Sequence, residues 1–542
     1  MSRVLEIVLG FPLQGWQAAV DARSRKPPRA ARDFGAELVR AWRICPQVKM
    51  RRGHESVAIV PCRVIEAEPA GEGRWWTWIE VADKGRRVFA ARTREFAPGV
   101  AIRECFDEHA ADLRIAPAPA GVPQAAFAEG ARASGDGNGD GPEAAASLVS
   151  DRRRGRWLDA DGVAVDLTLD DITQPSAGGP RRFCELRVAV ADSGEPAGRA
   201  AALRALFHAA RELSGAWPAF LLPVGTLDRV CIGAAPETPA APAKAKSVEL
   251  SGLRTQRAAL FALGASVTAQ WFANHAGVRD TDEPEYVHQM RVALRRLRTL
   301  MRLFPHYADT AWKGAFAADL GWLGGLLGDV RDWDVCVTAT LPDLAAADGD
   351  AAAAVAWIET QAAARAQGVA ARAELQQALA SARYARLVLS WLEWLSTLAL
   401  PEAADAASAG KLPSLKRHAA KRVSRLFGHL YGSPKLTTLD AAARHQVRID
   451  AKRLRYALEF FASLASRRTR GETTKLLARV QSVLGEANDA AVALHCLERL
   501  AAPSYQQGFA RGYGAAAQHY AAREAENLLR GLHPPKIGGR TA

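Results

Sequence analysis

The 542-residue sequence contains no CxxC pair, no apolar run that could span a bilayer before a charge interrupts it, and no surplus of acid. Its seven cysteines, Cys45, Cys62, Cys105, Cys184, Cys231, Cys336 and Cys496, stand far apart. That scatter excludes a disulfide framework or a zinc cluster and leaves them as buried, reduced thiols. The start, "MSRVLEIVLGFPLQGW", lacks the apolar core and cleavage site of a secretory leader, so a cytoplasmic protein with no membrane partner is expected. The length exceeds one ordinary core and points to two or three domains.

What is present is positive charge, unevenly placed. Of a net charge of +13, most belongs to residues 251–542, which hold 37 Lys and Arg against 26 Asp and Glu. Such a field favours polyanions: nucleic acid, acidic membrane or inorganic phosphate chains. Two stretches rich in Ala, Pro and Gly, about 116–148 and 233–246, read as an insertion and a linker. Within the first, "DGNGDGPEAAAS" begins like a calcium loop, but Ser147 stands where a bidentate Glu is required. Residues 1–232 carry short runs such as "RVLEIVLGF", "RWWTWIEVA" and "RRFCELRVAVAD", several alternating apolar with polar, and read as a β-rich α+β domain. From residue 247 to about 535 apolar positions recur three and four apart, the pattern of helices.

The helical half repeats itself. "HQMRVALRRLRTLMRLF", His288 to Phe304, returns as "HQVRIDAKRLRYALEFF", His445 to Phe461, and "LLGDVRDWDV" returns at the same offset as "VLGEANDAAV". Two matches with one offset indicate a duplicated unit, with copies at about 247–400 and 411–535. On a helical wheel with His288 at zero, Arg291, Arg295, Arg298 and Arg302 fall at about 300°, 340°, 280° and 320°, one stripe about 80° wide. Met290, Leu294, Leu297, Met301 and Phe304 take the adjoining arc. In the second copy His445, Arg448, Lys452 and Arg455 fill the stripe, and Glu459 replaces the counterpart of Arg302.

Like charges at these spacings cost about 0.2–0.5 kcal/mol per pair, which a bound polyanion would offset. The plainer alternative is a ladder that is solvated or paired with Asp329, Asp332 and Asp334. Lys421 and Arg425, one turn apart in "LKRHAAKRVSRLFGHLYG", are candidates to extend the site, or else a solvated face. No carboxylate or cysteine recurs at ligand spacing beside both histidines, so His288 and His445 read as donors or packing residues, with no catalytic or metal role. Asp332 and Asp489 read as holders of arginines or as helix caps. Phe304, Tyr456, Phe460 and Phe461 sit at core spacing, where a single-strand nucleic-acid binder would expose aromatics for stacking. Residue chemistry alone does not separate polyphosphate from nucleic acid.

The paired patterns HxxRxxxRRLR with LGxxRDxDV, and HxxRxxxKRLRYxLExF with LGxxND, resemble the CHAD domain, the conserved histidine α-helical domain, across residues 247–535. The resemblance implies two four-helix units and a basic central channel for inorganic polyphosphate, with His288, Arg291, Arg295, Arg298, Arg302, His445, Arg448, Lys452, Arg455, Lys421 and Arg425 as binding residues. It also implies residence on polyphosphate granules of a bacterial cell, with granule-associated proteins as further partners and nucleic acid a weaker one. Residues 1–232 weakly resemble a CYTH, or triphosphate tunnel, domain through "LEIVLGF", "VAVDLTLDD", "CELRVAVADSGEP" and "AALRALFHAARELS". Active tunnels begin ExExK, whereas here Glu6 is followed by Val8 and Gly10; later, Glu185 remains but Arg187 replaces its acidic partner, leaving Asp166 and Asp170 as extra acids.

The expected architecture is therefore an α+β multidomain chain: a tunnel-type antiparallel β-barrel followed by an all-α duplicated four-helix bundle. The expected function is non-enzymatic binding of polyphosphate without a cofactor. Metal-dependent triphosphate hydrolysis or phosphotransfer in the barrel is the enzymatic alternative. The basic runs "VKMRR" and "DRRRGRW" are open between a secondary anion site in that barrel and a solvated face.

Overall fold

The computed structural model describes residues 2–11, 33–66, 74–82, 85–109, 148–175, 180–217, 219–231, 241–308, 310–401 and 412–538. The calcium-like stretch and nearly all of the insertion lie outside these residues, as does the first part of the linker. The chain divides into two compact units, residues 1–238 with 379–401, and residues 239–378 with 402–542.

In the first unit, alternating apolar and polar residues produce strands whose two faces differ. These are β1 (Ser2–Phe11), β2 (Val48–Met50), β3 (Glu55–Glu66), β4 (Arg74–Ala82), β5 (Gly85–Ala97), β6 (Val100–His109), β7 (Leu148–Leu158), β8 (Ala164–Gln174), β9 (Arg181–Ala191) and β10 (Phe220–Leu222). Eight of them close on themselves in the order β1-β6-β5-β4-β3-β7-β8-β9 and back to β1, all antiparallel; β10 adds to β1 and β2 to β7. Closure leaves no long open edge.

The outer face of β1, with Leu5, Ile7 and Leu9 all buried, is covered by α2 (Pro196–Ala216), which follows the short α1 (Phe34–Ala41) in the chain. Inside the barrel lies α3 (Thr226–Cys231), whose Leu227 joins Val57, Ile59, Trp76, Trp78, Leu148 and Ile172 in one apolar cluster. Trp76 and Trp78 of β4, two residues apart on one face, are therefore core. Helix α9 (Ala382–Ala399), read from sequence as part of the helical half, packs on α2 and belongs to this unit.

The second unit is helical. It comprises α4 (Gln256–Asp280), α5 (Pro284–Leu303), α6 (Thr310–Val335), a π-helical turn at Cys336–Thr340, α7 (Leu341–Asp348), α8 (Ala354–Leu379), α10 (Leu415–Tyr431), α11 (Ala441–Phe460), α12 (Thr474–Arg499) and α13 (Ser504–Arg530). The two repeats begin in the same way: Leu415 donates its N–H to the Arg254 carbonyl and Gln256 donates to the Pro413 carbonyl, pinning the starts of α4 and α10 together. Helices α5 and α11 pack directly on each other, and the duplicated residues Phe304 and Phe461 meet with ring centroids 6.1 Å apart. Phe304, Tyr456, Phe460 and Phe461 are all buried. Among the described residues no helix is long and apolar enough to cross a membrane. Cys184, Cys336 and Cys496 are buried, whereas Cys45 and Cys105 are only partly covered, a departure from the expected burial.

Candidate functional site

Each ladder stands on a helix with a defined start. Glu283 caps α5, with Pro284 in its first turn, where a missing N–H costs nothing; Asp440 caps α11 by accepting from the Ala443 N–H at 2.8 Å. On α5 the arc holding Met290, Leu294, Leu297 and Met301 is buried, which fixes the rotation of the helix and so the direction of its cations.

The structure brings the two stripes into one electrostatic neighbourhood. Burial lowers the pKa of Lys452, and Arg448, Arg295 and Arg291 lower it further against the pull of Asp489, until the ammonium titrates at about 7. Arg448 is held below the usual guanidinium range by burial and, against Asp489, by the same Arg295 and Arg291. His288 is depressed by burial and by Arg331, with Arg295 and Arg291 adding to this against Glu285. The Nε atoms of Arg295 and Arg448 are buried without a hydrogen-bond partner. Cations from α5 and α11 thus crowd one space with too few acids to neutralise them.

The acids that are present are specific. Arg291 meets Asp332 at 3.4 Å, while Asp329 pairs with Arg499 and Asp334 with Arg372 at 2.9 Å. Only Asp332 of the three aspartates thus pairs with a ladder residue. Burial raises the pKa of Asp332, as do Asp329 and its own duplicate Asp489, against Arg291. The repeated aspartates therefore converge as the repeated arginines do.

The remaining ladder residues sit at the margins. Arg298 donates to the Leu320 carbonyl, and a methyl added at Gly324 would come within 2.6 Å of its guanidinium; glycine on α6 leaves the room that Arg298 fills. Arg302 is exposed and feels burial first, then Arg453 and Arg298. Arg455 is bound by Glu459 at 2.9 Å, so the acid that replaces the counterpart of Arg302 withdraws a cation from the second ladder. His445 is exposed and, with Arg444, Arg448, Asn488 and Gln518, lines a cavity of about 130 Å3. Lys421 and Arg425 are exposed on α10, where their charges act on His418 and Arg422 of the same helix. His418 itself is buried against the Leu303 carbonyl at 2.8 Å.

Sequence reasoning missed Arg331. It lies on α6 between the two aspartates of the LGDVRD segment, and its charge depresses both His288 and Arg291. The signal was visible, because Arg331 sits inside the duplicated segment, but its counterpart is Asn488 and the repeat does not preserve the charge.

The barrel interior has the opposite character. Arg152 meets Glu80 at 2.8 Å and Asp170 at 2.7 Å; burial opposes its charge, but the two acids more than offset this and its pKa is raised. Arg187 meets Glu6 at 2.7 Å, and Asp228 of α3 receives Arg103 through both oxygens at 2.9 and 3.0 Å. Outside that interior, Arg153 pairs with Asp33, and the exposed Arg156 with Asp166 at 2.8 Å. The "DRRRGRW" run is thus strand β7 with three of its arginines already partnered. The arginine that replaces an expected acid, Arg187, binds Glu6, one of the two expected acids that remain. Among the described residues no group of three or more His, Cys, Asp or Glu could hold a metal ion.

Residues 262–498 match the family model of the CHAD domain. The CHAD domain from the plant Ricinus communis is 31% identical, over 55% of this chain and 99% of that one, with a TM-score of 0.47. PptA from Streptomyces chartreusis is 20% identical over 51% and 97% of the two chains, TM-score 0.37. HpAC1 from Hippeastrum, a protein with a dominant triphosphatase activity, is 11% identical over 43% and 97%, TM-score 0.23. No curated protein matches the chain.

Proposed function

Because the chain belongs to the CHAD domain family, we propose that its helical unit binds inorganic polyphosphate in the space shared by α5 and α11, without chemical turnover, and that this places the protein on polyphosphate granules. The observation that carries the reading is the crowding of Arg291 and Arg295 with Arg448 and Lys452: cations from both copies share one space in which Asp332 and Asp489 are too few to neutralise them, and the buried Nε atoms of Arg295 and Arg448 have no partner. A chain of phosphates supplies the missing charge at repeated intervals, and arginine forks donate to its oxygens two at a time. His288, Arg331 and Arg291 extend the contact on the α6 side; His445 and Arg448 extend it toward α13. The aromatics of the ladder helices, Phe304, Tyr456, Phe460 and Phe461, are buried and offer no stacking platform of the kind a single-strand reader needs, which favours a ligand without bases.

Retention on a long-chain polyphosphate column at near-physiological salt tests this. Wild-type protein is expected to be retained and Arg295→Glu/Lys452→Glu to pass through; equal retention of both would falsify the site assignment. RNA at equal phosphate concentration is expected to displace polyphosphate poorly, and displacement on equal terms would make the protein a nucleic-acid binder. Affinity falls steeply with salt as condensed counterions are released.

A further inference from the structure

The two ladders end differently, and the repeat aligns them residue by residue, His445 against His288. On α5 the last rungs are Arg298 and Arg302. Arg298 is docked on the Leu320 carbonyl of α6, in the room that Gly324 leaves. A carbonyl holds a guanidinium in place without cancelling its charge. Burial lowers the pKa of Arg298, and burial, Arg453 and Arg298 lower that of the exposed Arg302, with no acid pulling either back. This end of the site therefore keeps two positive charges.

On α11 the aligned residues are Arg455 and Glu459, and Gln481 of α12 stands where α6 has Gly324. A single methyl at Gly324 would already come within 2.6 Å of the Arg298 guanidinium, so the longer side chain of Gln481 denies Arg455 the same docking place. Gln481 is itself packed in, its Nε2 buried without a hydrogen-bond partner. Arg455 turns instead to Glu459 at 2.9 Å, with both side chains partly covered. The charge of Glu459 also reaches across to α5, where it opposes the effect of burial on Arg296. The end that carries two cations in the first copy is thus neutral in the second, and an acid stands between the helices.

We infer that Glu459 is a specificity-determining residue that closes the α11 end of the site, so that a bound polyanion leaves the shared space in one direction, along α5 over Arg298 and Arg302. The inference rests on the polyphosphate reading of the ladders. From Arg291 to Arg302 the helix rises about 16 Å, at about 1.5 Å per residue. Tripolyphosphate is too short to cover that run, and only a longer chain occupies the shared space and the last rung together. Glu459 therefore sets how much a long chain gains over a short one.

Titration of the full chain with long-chain polyphosphate and with tripolyphosphate, at one fixed salt, tests this through the ratio of the two affinities. Glu459→Gln keeps the shape and releases Arg455 as a further rung. It is expected to raise the long-to-short ratio about threefold or more, and to steepen the salt slope for long chains by about 0.7. Arg302→Glu closes the α5 end in the same manner and is expected to lower the ratio by a similar factor. Should one variant not fold, the other decides alone. A ratio left unchanged in either folded variant, or lowered by Glu459→Gln, overturns the role of Glu459 while the shared site stands. Wild-type protein that binds neither polymer overturns both.

Discussion

Arg152 in the barrel and Lys452 on α11 are both covered cations on regular elements, yet their charges are held in opposite ways. Arg152 lies between Glu80 and Asp170 and keeps its proton more firmly than in water. Lys452 lies among Arg448, Arg295 and Arg291 and holds its proton weakly enough to titrate at about 7. Burial is the leading influence on both and acts in the same direction, so company decides the outcome. A buried cation that finds its acids within the chain supports the fold. One whose neighbouring cations outnumber its acids leaves compensation to come from outside, as binding sites do.

The comparison breaks most visibly if one partner is removed on the barrel side. Arg152→Ala leaves Glu80 and Asp170 buried and unpaired, and urea unfolding should show a loss of about 3–5 kcal/mol. The ladder double variant Arg295→Glu/Lys452→Glu should leave folding largely intact but cut polyphosphate affinity ~100-fold or more, read by titration at fixed salt.

A smaller effect with the reverse sign sharpens the contrast. Because the pKa of Lys452 is depressed in the folded chain, the unfolded chain binds the extra proton between about pH 7 and the ordinary lysine pKa of about 10.4. The cost to stability is full below pH 7 and fades as pH rises toward that value. Lys452→Met should therefore be more stable than wild type by about 1–2 kcal/mol at pH 6, with the gap closing near pH 10.4. Bound phosphate restores the proton, so wild-type affinity should weaken from pH 7 to pH 9 while Lys452→Arg holds its affinity. The smallest expected change is in salt dependence: Arg448→Ala should reduce the slope of log K against log salt by about 0.7, the share of one phosphate contact on a flexible strand.

Much of this contrast was legible in the chain. The duplicated motif and its wheel located the ladders, because helix periodicity is local and a repeat announces itself. The strands of the barrel showed through their alternation, and the loss of the ExExK pattern was visible at Val8 and Gly10. What sequence could not supply were partners distant in the chain. That Arg152 meets Glu80, that Arg187 binds Glu6, and that α3 carries Asp228 onto Arg103 all depend on closure of the barrel, which brings together residues some 70 to 180 positions apart. Arg331 escaped for a different reason: only one copy carries its charge. Helix α9 escaped because its apolar face, with Trp391, Leu392 and Leu395 buried, suits a bundle as well as the flank of α2.

That helix also constrains how the gene can be rearranged. Since α9 lies between the two repeats in sequence but packs with the barrel, the polypeptide visits the first unit, leaves it, returns to it and leaves again. A truncation that begins after residue 240 would strip α9 of its covering and expose Trp391 and Leu395 to solvent, an invitation to aggregate. The two units are stitched rather than strung, and neither can be traded as a cassette without taking a thread of the other.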